Sequence, residues 1–338
     1  MLPAAPVGRY RCPVSIDGAV DWMERHQVPL YLGSLGLGAL LGASSPADLE
    51  AAITPVLIAL LYATFLGVPL ARLRAAFADL RFMAAILAVN FLAAPVLVAG
   101  LTRMIADHPA LLVGALLVLL APCVDYVVVF TRLAGGAWEK TLAASPALML
   151  IQMLLLPVWI ALLGPSAPID WRPLAQGLVI IALPLGLAAL THWAARGAMA
   201  PVAQRVERGA TALMVPLMMA TLIVVVASQI ATVSSHLGQL VRVVPVFVLF
   251  GLVMPVVGRV LGRMAGQDAR SRLALAFSGT TRNSLVVLPL ALALPADLGL
   301  APIVVVTQTL VELVLMVVYV RLLPAVEAGL GRRAGRQP

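Results

Sequence analysis

Long apolar runs alternate with short polar gaps along the whole chain. Ten runs cover residues 28–43, 52–70, 82–102, 110–133, 142–163, 174–195, 211–231, 243–263, 271–294 and 299–323. A helix needs roughly 20 apolar residues to cross the hydrocarbon core of a bilayer. Most of these runs reach that length, and no gap between them is long enough for a soluble domain. The pattern predicts an all-α polytopic membrane protein with ten transmembrane helices over 28–323. A cytoplasmic N-terminal tail (1–27) and a cytoplasmic C-terminal tail (324–338) flank them. Asp17, Asp21, Glu24 and Arg25 precede any long apolar run, which is not the layout of a secretory signal peptide. Only a short amphipathic segment around Trp22 is expected there.

Composition agrees with the pattern. The chain has 338 residues, 62% hydrophobic and 11% charged, with a mean hydropathy of +1.03. Soluble domains are nearer half apolar and a quarter charged, so a single soluble domain is excluded. The net charge of +8 does not point to nucleic acid, because the basic residues are scattered through the gaps. All of them are Arg except Lys140. Ten spans place nineteen basic residues on the side of the N-terminus and only Arg103, Arg172 and Arg242 on the other. The positive-inside rule then puts both termini in the cytoplasm, as in a multi-pass protein of the inner (plasma) membrane. The remaining basic residue, Arg282, falls inside a span.

Ten spans divide into five and five, 28–163 and 174–323. An odd number makes a duplicated second half enter the membrane inverted, the design of many secondary transporters. Two pairs of polar residues support the division. Asp125 and Arg282 are 157 positions apart, and Gln152 and Gln308 are 156 apart.

Three ionisable residues lie deep in spans: Asp125, Arg282 and Glu312. Each costs on the order of 2.5–3.5 kcal/mol at the bilayer centre, so all three should face the protein interior or line water. One ion pair, such as Asp125–Arg282, would leave one carboxylate over, to bind a proton or a cation or to stay neutral because burial disfavours its charged form. That pair has a bland reading, pinning two interrupted helices together, and this does not exclude function. Pro122 lacks an amide hydrogen and clashes with the preceding turn. Span four should therefore break beside Cys123 and Asp125. Span nine carries the polar run Ser278-Gly279-Thr280-Thr281-Arg282-Asn283-Ser284, which supplies donors and permits close helix approach. Its plainer reading is polar glue between helices. Gln308 and Glu312 share a helix face at i and i+4, whereas Asn90 and Gln152 read as packing hydrogen bonds. The Gly38-x-x-x-Gly42 spacing reads as helix packing.

Cys12 and Cys123 are expected on different elements, so no disulfide is expected. There is no CxxC and no Cys/His spacing for a metal, and no cofactor is expected. His26, His108, His192 and His236 are scattered and read as interfacial residues. No metalloprotease, phosphate-loop or nucleophile–base motif points to an enzyme.

Two segments carry a resemblance. The first is Pro122-Cys123-Val124-Asp125-Tyr126 followed by Thr131-Arg132-Leu133-Ala134-Gly135-Gly136. The second is Leu310-Val311-Glu312-Leu313-Val314. Over 28–323 the chain resembles the bile acid/sodium symporter superfamily, and most closely its arsenite-efflux branch. The resemblance implies that spans four and nine are broken and cross at the substrate site. It implies a core of spans 3–5 and 8–10 against a panel of spans 1, 2, 6 and 7, an essential Cys at Cys123 and a membrane Glu at Glu312. The chain departs from the pattern at Arg282, where a sodium-coupled member tends to have Gln, and at Ser278, where such a member has a sodium-binding Glu. Valines near Val127–Val129 replace an expected Ser-Asn pair. These departures favour proton coupling or antiport over sodium.

The resulting expectation is a secondary transporter that extrudes arsenite or a related trivalent metalloid. Cys123, Asp125, Arg282, Asn283 and Ser284 would bind the solute, and Glu312 and Asp125 would carry coupling protons. Asn90, Gln152, Ser278, Thr281 and Gln308 would give polar support. One thiol in the membrane gives weak, reversible binding, which suits a site that must also release. A sodium- or proton-coupled transporter of a small organic anion recognised by Arg282 is the alternative. The expected partners are a small solute and the lipid bilayer.

Overall fold

In the computed structural model, residues 16–44, 50–67, 79–124, 126–165, 171–195, 197, 199–235 and 237–334 are described. Asp125, Cys12, His236, residues 1–15 and the end of the second apolar run (68–70) lie outside them. The described residues form helices joined by short turns. In chain order these are α1 (Ile16–Arg25), α2 (Gln27–Ser44), α3 (Glu50–Gly67) and α4 (Leu80–Ile105). They continue with α5 (Pro109–Leu119), α6 (Tyr126–Leu133), α7 (Trp138–Leu163), α8 (Trp171–Ala194) and α9 (Ala200–Ser235). The last four are α10 (Leu237–Met264), α11 (Ala269–Thr280), α12 (Ser284–Leu292) and α13 (Ala301–Ala334).

Among the described residues, four helices are each long and apolar enough to cross a bilayer: Leu80–Ile105, Trp138–Leu163, Leu237–Met264 and Ala296–Glu327. A fifth candidate is Ala200–Ala210 with Ala212–Ser228, bent by 43°. The expected spans four and nine are each split into two short helices, α5/α6 and α11/α12, so neither counts alone. Large apolar side chains lie bare on the outside, with Val96 75% and Leu154 74% exposed. A water-facing surface does not carry long helices with such apolar flanks. Lipid does, because a helix satisfies its own backbone there.

Local chemistry sets the helix ends. Asp79 caps α4 by accepting the Phe82 amide, and Asp268 caps α11 by accepting the Ser271 amide. Pro109 opens α5, where a missing amide hydrogen costs nothing. A π turn at Val89–Ala93 interrupts the regular ladder of α4. The chain past 323 is helical as far as Ala334, and Glu327 on that extension is drawn in between Arg259 and Arg272.

The helices pack as two groups. In one, α9 lies along α2 and α3, and α8 lies along α3. A Cβ at Gly38 would come within 2.8 Å of the Ile223 carbonyl, so the α2–α9 approach requires glycine there. In the other, α10 packs on α11 and α13, α5 and α12 pack on α13, and α6 packs on α7. The groups meet where α8 and α3 touch α12 and where α9 touches α13.

Candidate functional site

The two interrupted segments cross. Pro122 and Arg282 form an isolated antiparallel bridge. The Cys123 amide donates to the Thr281 carbonyl at 3.2 Å, and the Asn283 amide donates to the Ala121 carbonyl at 2.8 Å. These bonds satisfy backbone groups that would otherwise be stranded in an apolar interior. Four helix ends therefore converge near one point: the C-termini of α5 and α11, and the N-termini of α6 and α12.

Arg282 is fully buried. Its Nη1 donates to the Leu119 carbonyl at 3.3 Å. Its Nη2 donates to Asn90 Oδ1 at 3.2 Å and to the carbonyls of Ser278 (3.4 Å) and Gly279. The guanidinium carbon stands 4.9 Å from the centre of the Phe250 ring, within cation–π range. Asn90 sits on the π turn of α4. Its Nδ2 donates to the Ile86 carbonyl and to Ser278 Oγ, both at 2.9 Å. π turns often mark functional positions, and here the turn delivers a carboxamide to the crossing.

Glu312, on α13, is buried. Its Oε2 accepts the Arg282 backbone amide at 2.9 Å and Gln308 Nε2 at 2.5 Å. Gln308 and Glu312 line a narrow cavity with Phe247, Phe250, Thr280 and Val311. A second cavity lies between α9 and the pair α12/α13. Ser284, Thr221 and Thr309 give it polar atoms among apolar neighbours. The Thr221 and Thr309 hydroxyls are spent on their own helices. Ser284 Oγ and Asn283 Nδ2 are buried without a hydrogen-bond partner among the described residues, as is Gln308 Oε1.

Cys123 is a buried thiol. It belongs to an apolar cluster with Val127, Phe277 and Met316 that also takes in Leu35 of α2, Leu60 of α3 and Met218 of α9. That cluster spans the two helix groups. The Arg282 guanidinium is held by α4, α5, α10 and α11. Thr281 Oγ1 turns back to the Phe277 carbonyl at 2.8 Å. Gln152, on α7, is buried with both side-chain polar atoms unpartnered among the described residues. Asp125 lies outside the described residues, and so does the expected Asp125–Arg282 pair.

Several contacts were not legible in advance. Ser145 Oγ donates to the Val124 carbonyl at 3.3 Å and so supports the span-four break from α7. Its signal was a small hydroxyl residue one position before Pro146. The Phe250 face and the three carbonyls around Arg282 carried no sequence signal. Lys140, the sole lysine, donates to Asp79 Oδ2 at 2.7 Å and Ser271 Oγ at 3.0 Å. It thereby ties α4, α7 and α11 at one end of the molecule. That bond to Lys140, with the Phe82 amide, holds the Asp79 carboxyl below its ordinary range. Arg242 does the same to Asp107 through bonds of 2.8 and 3.0 Å.

Among the described residues no three of His, Cys, Asp and Glu come together as metal ligands. A search of curated proteins finds no match. Residues 39–325 match the family model described as the SBF-like CPA transporter family. That places the chain in the bile acid/sodium symporter-like superfamily expected from its sequence, while the match names no arsenite branch. The helix breaks that cross and the extent of the match agree, and the chain belongs to the SBF-like CPA transporter family.

Proposed function

We propose that this transporter moves a small hydroxyl-rich solute by alternating access, and that the solute is arsenite or a related trivalent metalloid, extruded from the cytoplasm. The carrying observation is the position of Cys123. The apolar cluster around this buried thiol at the crossing takes in residues of both helix groups, and such a place is where a solute would be exposed as the groups move apart. Cys123 supplies a soft sulfur ligand. Ser284 Oγ and Asn283 Nδ2, buried and without protein partners among the described residues, supply hydrogen bonds to the hydroxyls of an undissociated oxyacid. The polar atoms that line the cavity beside Ser284 are hydroxyls, which suits a neutral solute.

In this reading α2, α3, α8 and α9 are the panel, and α4–α7 with α10–α13 are the core, the two broken spans included. The fold is two inverted repeats, α2–α7 and α8–α13, with the fourth member of each broken. Matching contacts support the relation: α5 packs on α13, and α11 packs on α7. Glu312, bonded to the backbone of the crossing, takes up and releases the coupling proton. Moving one charge across 100 mV is worth about 2.3 kcal/mol.

A second reading keeps the fold and changes the cargo to a small organic anion. The N-termini of α6 and α12 favour it, because helix N-termini attract negative charge.

The test is arsenite accumulation in everted vesicles energised by a proton gradient without sodium, for wild type and Cys123→Ser. Uptake by wild type alone supports the metalloid reading. No uptake by either protein, with both correctly inserted, moves the assignment to an organic anion, which competition by carboxylates and sulfonates then checks.

A further inference from the structure

The three carbonyls that hold Arg282 share one origin. In an unbroken helix, the carbonyls of Leu119, Ser278 and Gly279 would accept the amides of Cys123, Arg282 and Asn283, four residues on. All three amides are committed elsewhere. Cys123 donates to the Thr281 carbonyl and Asn283 to the Ala121 carbonyl, while Arg282 donates to Glu312 Oε2. Breaking both helices thus releases three carbonyls into one buried space, and the guanidinium bonds all of them. Asn90 Oδ1 adds a fourth oxygen, and the Phe250 ring faces the same group.

This shell is oxygen-rich, and the C-termini of two helices, α5 and α11, close on it. Helix C-termini carry partial negative charge. Unwound carbonyls with half-helix C-termini are the chemistry that coordinates small monovalent cations in membrane interiors. We propose that Arg282 is a tethered cation. Its guanidinium fills a cation site that the crossing itself creates, so the intact protein needs no diffusible cation there. Cutting the side chain back opens the cage to a free guanidinium or alkali ion. The inference holds whatever the cargo is, and its test reads stability, so it survives or falls separately from the transport assignment.

The test is thermal unfolding of the purified full-length protein in detergent. Wild type and Arg282→Ala are compared in millimolar guanidinium, sodium, potassium or choline chloride at equal ionic strength. The variant is expected to lose at least about 5 °C. Guanidinium, at concentrations far below denaturing ones, should restore half or more of that loss saturably, choline should not, and wild type should gain nothing. Adding Asn90→Leu to Arg282→Ala should abolish the rescue. A loss that no small cation reverses, or that choline reverses equally, overturns the proposal. If Arg282→Ala cannot be produced, Arg282→Lys against Arg282→Met decides. Better recovery with the tethered ammonium supports the cage, and equal loss in both overturns it.

Discussion

The Arg282 backbone amide donates to Glu312 Oε2 at 2.9 Å, so a carboxylate on α13 takes the hydrogen bond that the end of α11 has lost. One residue thereby presents two kinds of donor to two places. Its backbone serves Glu312, and its side chain serves Leu119, Gly279, Ser278 and Asn90. Any change at Glu312 is consequently felt by the crossing without an intervening side chain.

Replacing Glu312 separates its structural part from its proton. Glu312→Ala leaves the Arg282 amide buried without this acceptor, which costs about 1–3 kcal/mol. Glu312→Gln keeps an oxygen for that amide. Gln308 Nε2 donates to that same oxygen, so it too keeps its acceptor. Glu312→Gln should thus unfold within about 1 kcal/mol of wild type yet lose proton-driven uptake. Unfolding curves and vesicle uptake on the same preparations check both parts. Normal uptake by Glu312→Gln would remove Glu312 from coupling.

Much of this architecture was legible because breaks and buried charges are expensive in a bilayer. Pro122 and the polar run around Arg282 marked the two interruptions, and both helices do stop there, at Leu119 and Thr280. What surrounds each break was not legible. A membrane helix that is apolar all round carries no stripe to show which face meets which neighbour. Asn90 reads as one lone amide in an apolar run, yet its partners are Ser278 and Arg282, far along the chain. Phe250 looks like any lipid-facing aromatic until the guanidinium is placed over it. Glu327 falls in what reads as a tail, because nothing local tells a charged helix extension from a loose terminus. The carbonyls that hold Arg282 are backbone atoms and leave no mark in a sequence.

Ser284 offers a clean test of whether the cavity beside it is the proposed solute site. Its hydroxyl is buried and unpartnered among the described residues, so Ser284→Ala removes a desolvated polar atom and no protein hydrogen bond. Stability should stay within about 0.5 kcal/mol of wild type or rise. Transport should fall, because the solute loses a hydrogen bond at the mouth of α12. A tenfold rise in the apparent KM corresponds to about 1.4 kcal/mol. An unchanged KM would take Ser284 out of the solute site.

Asp79 and Lys140 predict the acid limit of this end of the fold. Lys140 lowers the Asp79 carboxyl below 3.8, so their pairing stabilises the protein fully above that pH. The contribution is lost as pH falls through the lower folded-state value. Both side chains are more than a third exposed, so screening holds the pair to about 1 kcal/mol or less. Asp79→Asn should be less stable than wild type by a constant amount between pH 5 and 8. The two unfolding midpoints should converge only below about pH 4. A gap that narrows already near neutrality would assign the effect to another group.

Glu327 predicts the largest loss outside the crossing. Its side chain is 4% exposed and bridges Arg259 of α10, at 2.8 Å, and Arg272 of α11. It holds the end of α13 on α10 and α11. Arg272 also donates to the Gln267 carbonyl at 2.8 Å, so the carboxylate and a turn carbonyl share one guanidinium. Removing one member of a buried pair costs about 3–5 kcal/mol, because the remaining charge is left without its partner. Glu327→Ala strands two. Glu327→Gln keeps the hydrogen-bonding oxygen and should lose less. The triple change Glu327→Leu, Arg259→Met, Arg272→Met removes all three charges and should recover much of what Glu327→Ala loses. Unfolding midpoints of the three variants decide the matter. A Glu327→Ala protein as stable as wild type would mean that α13 is held at this end by packing alone.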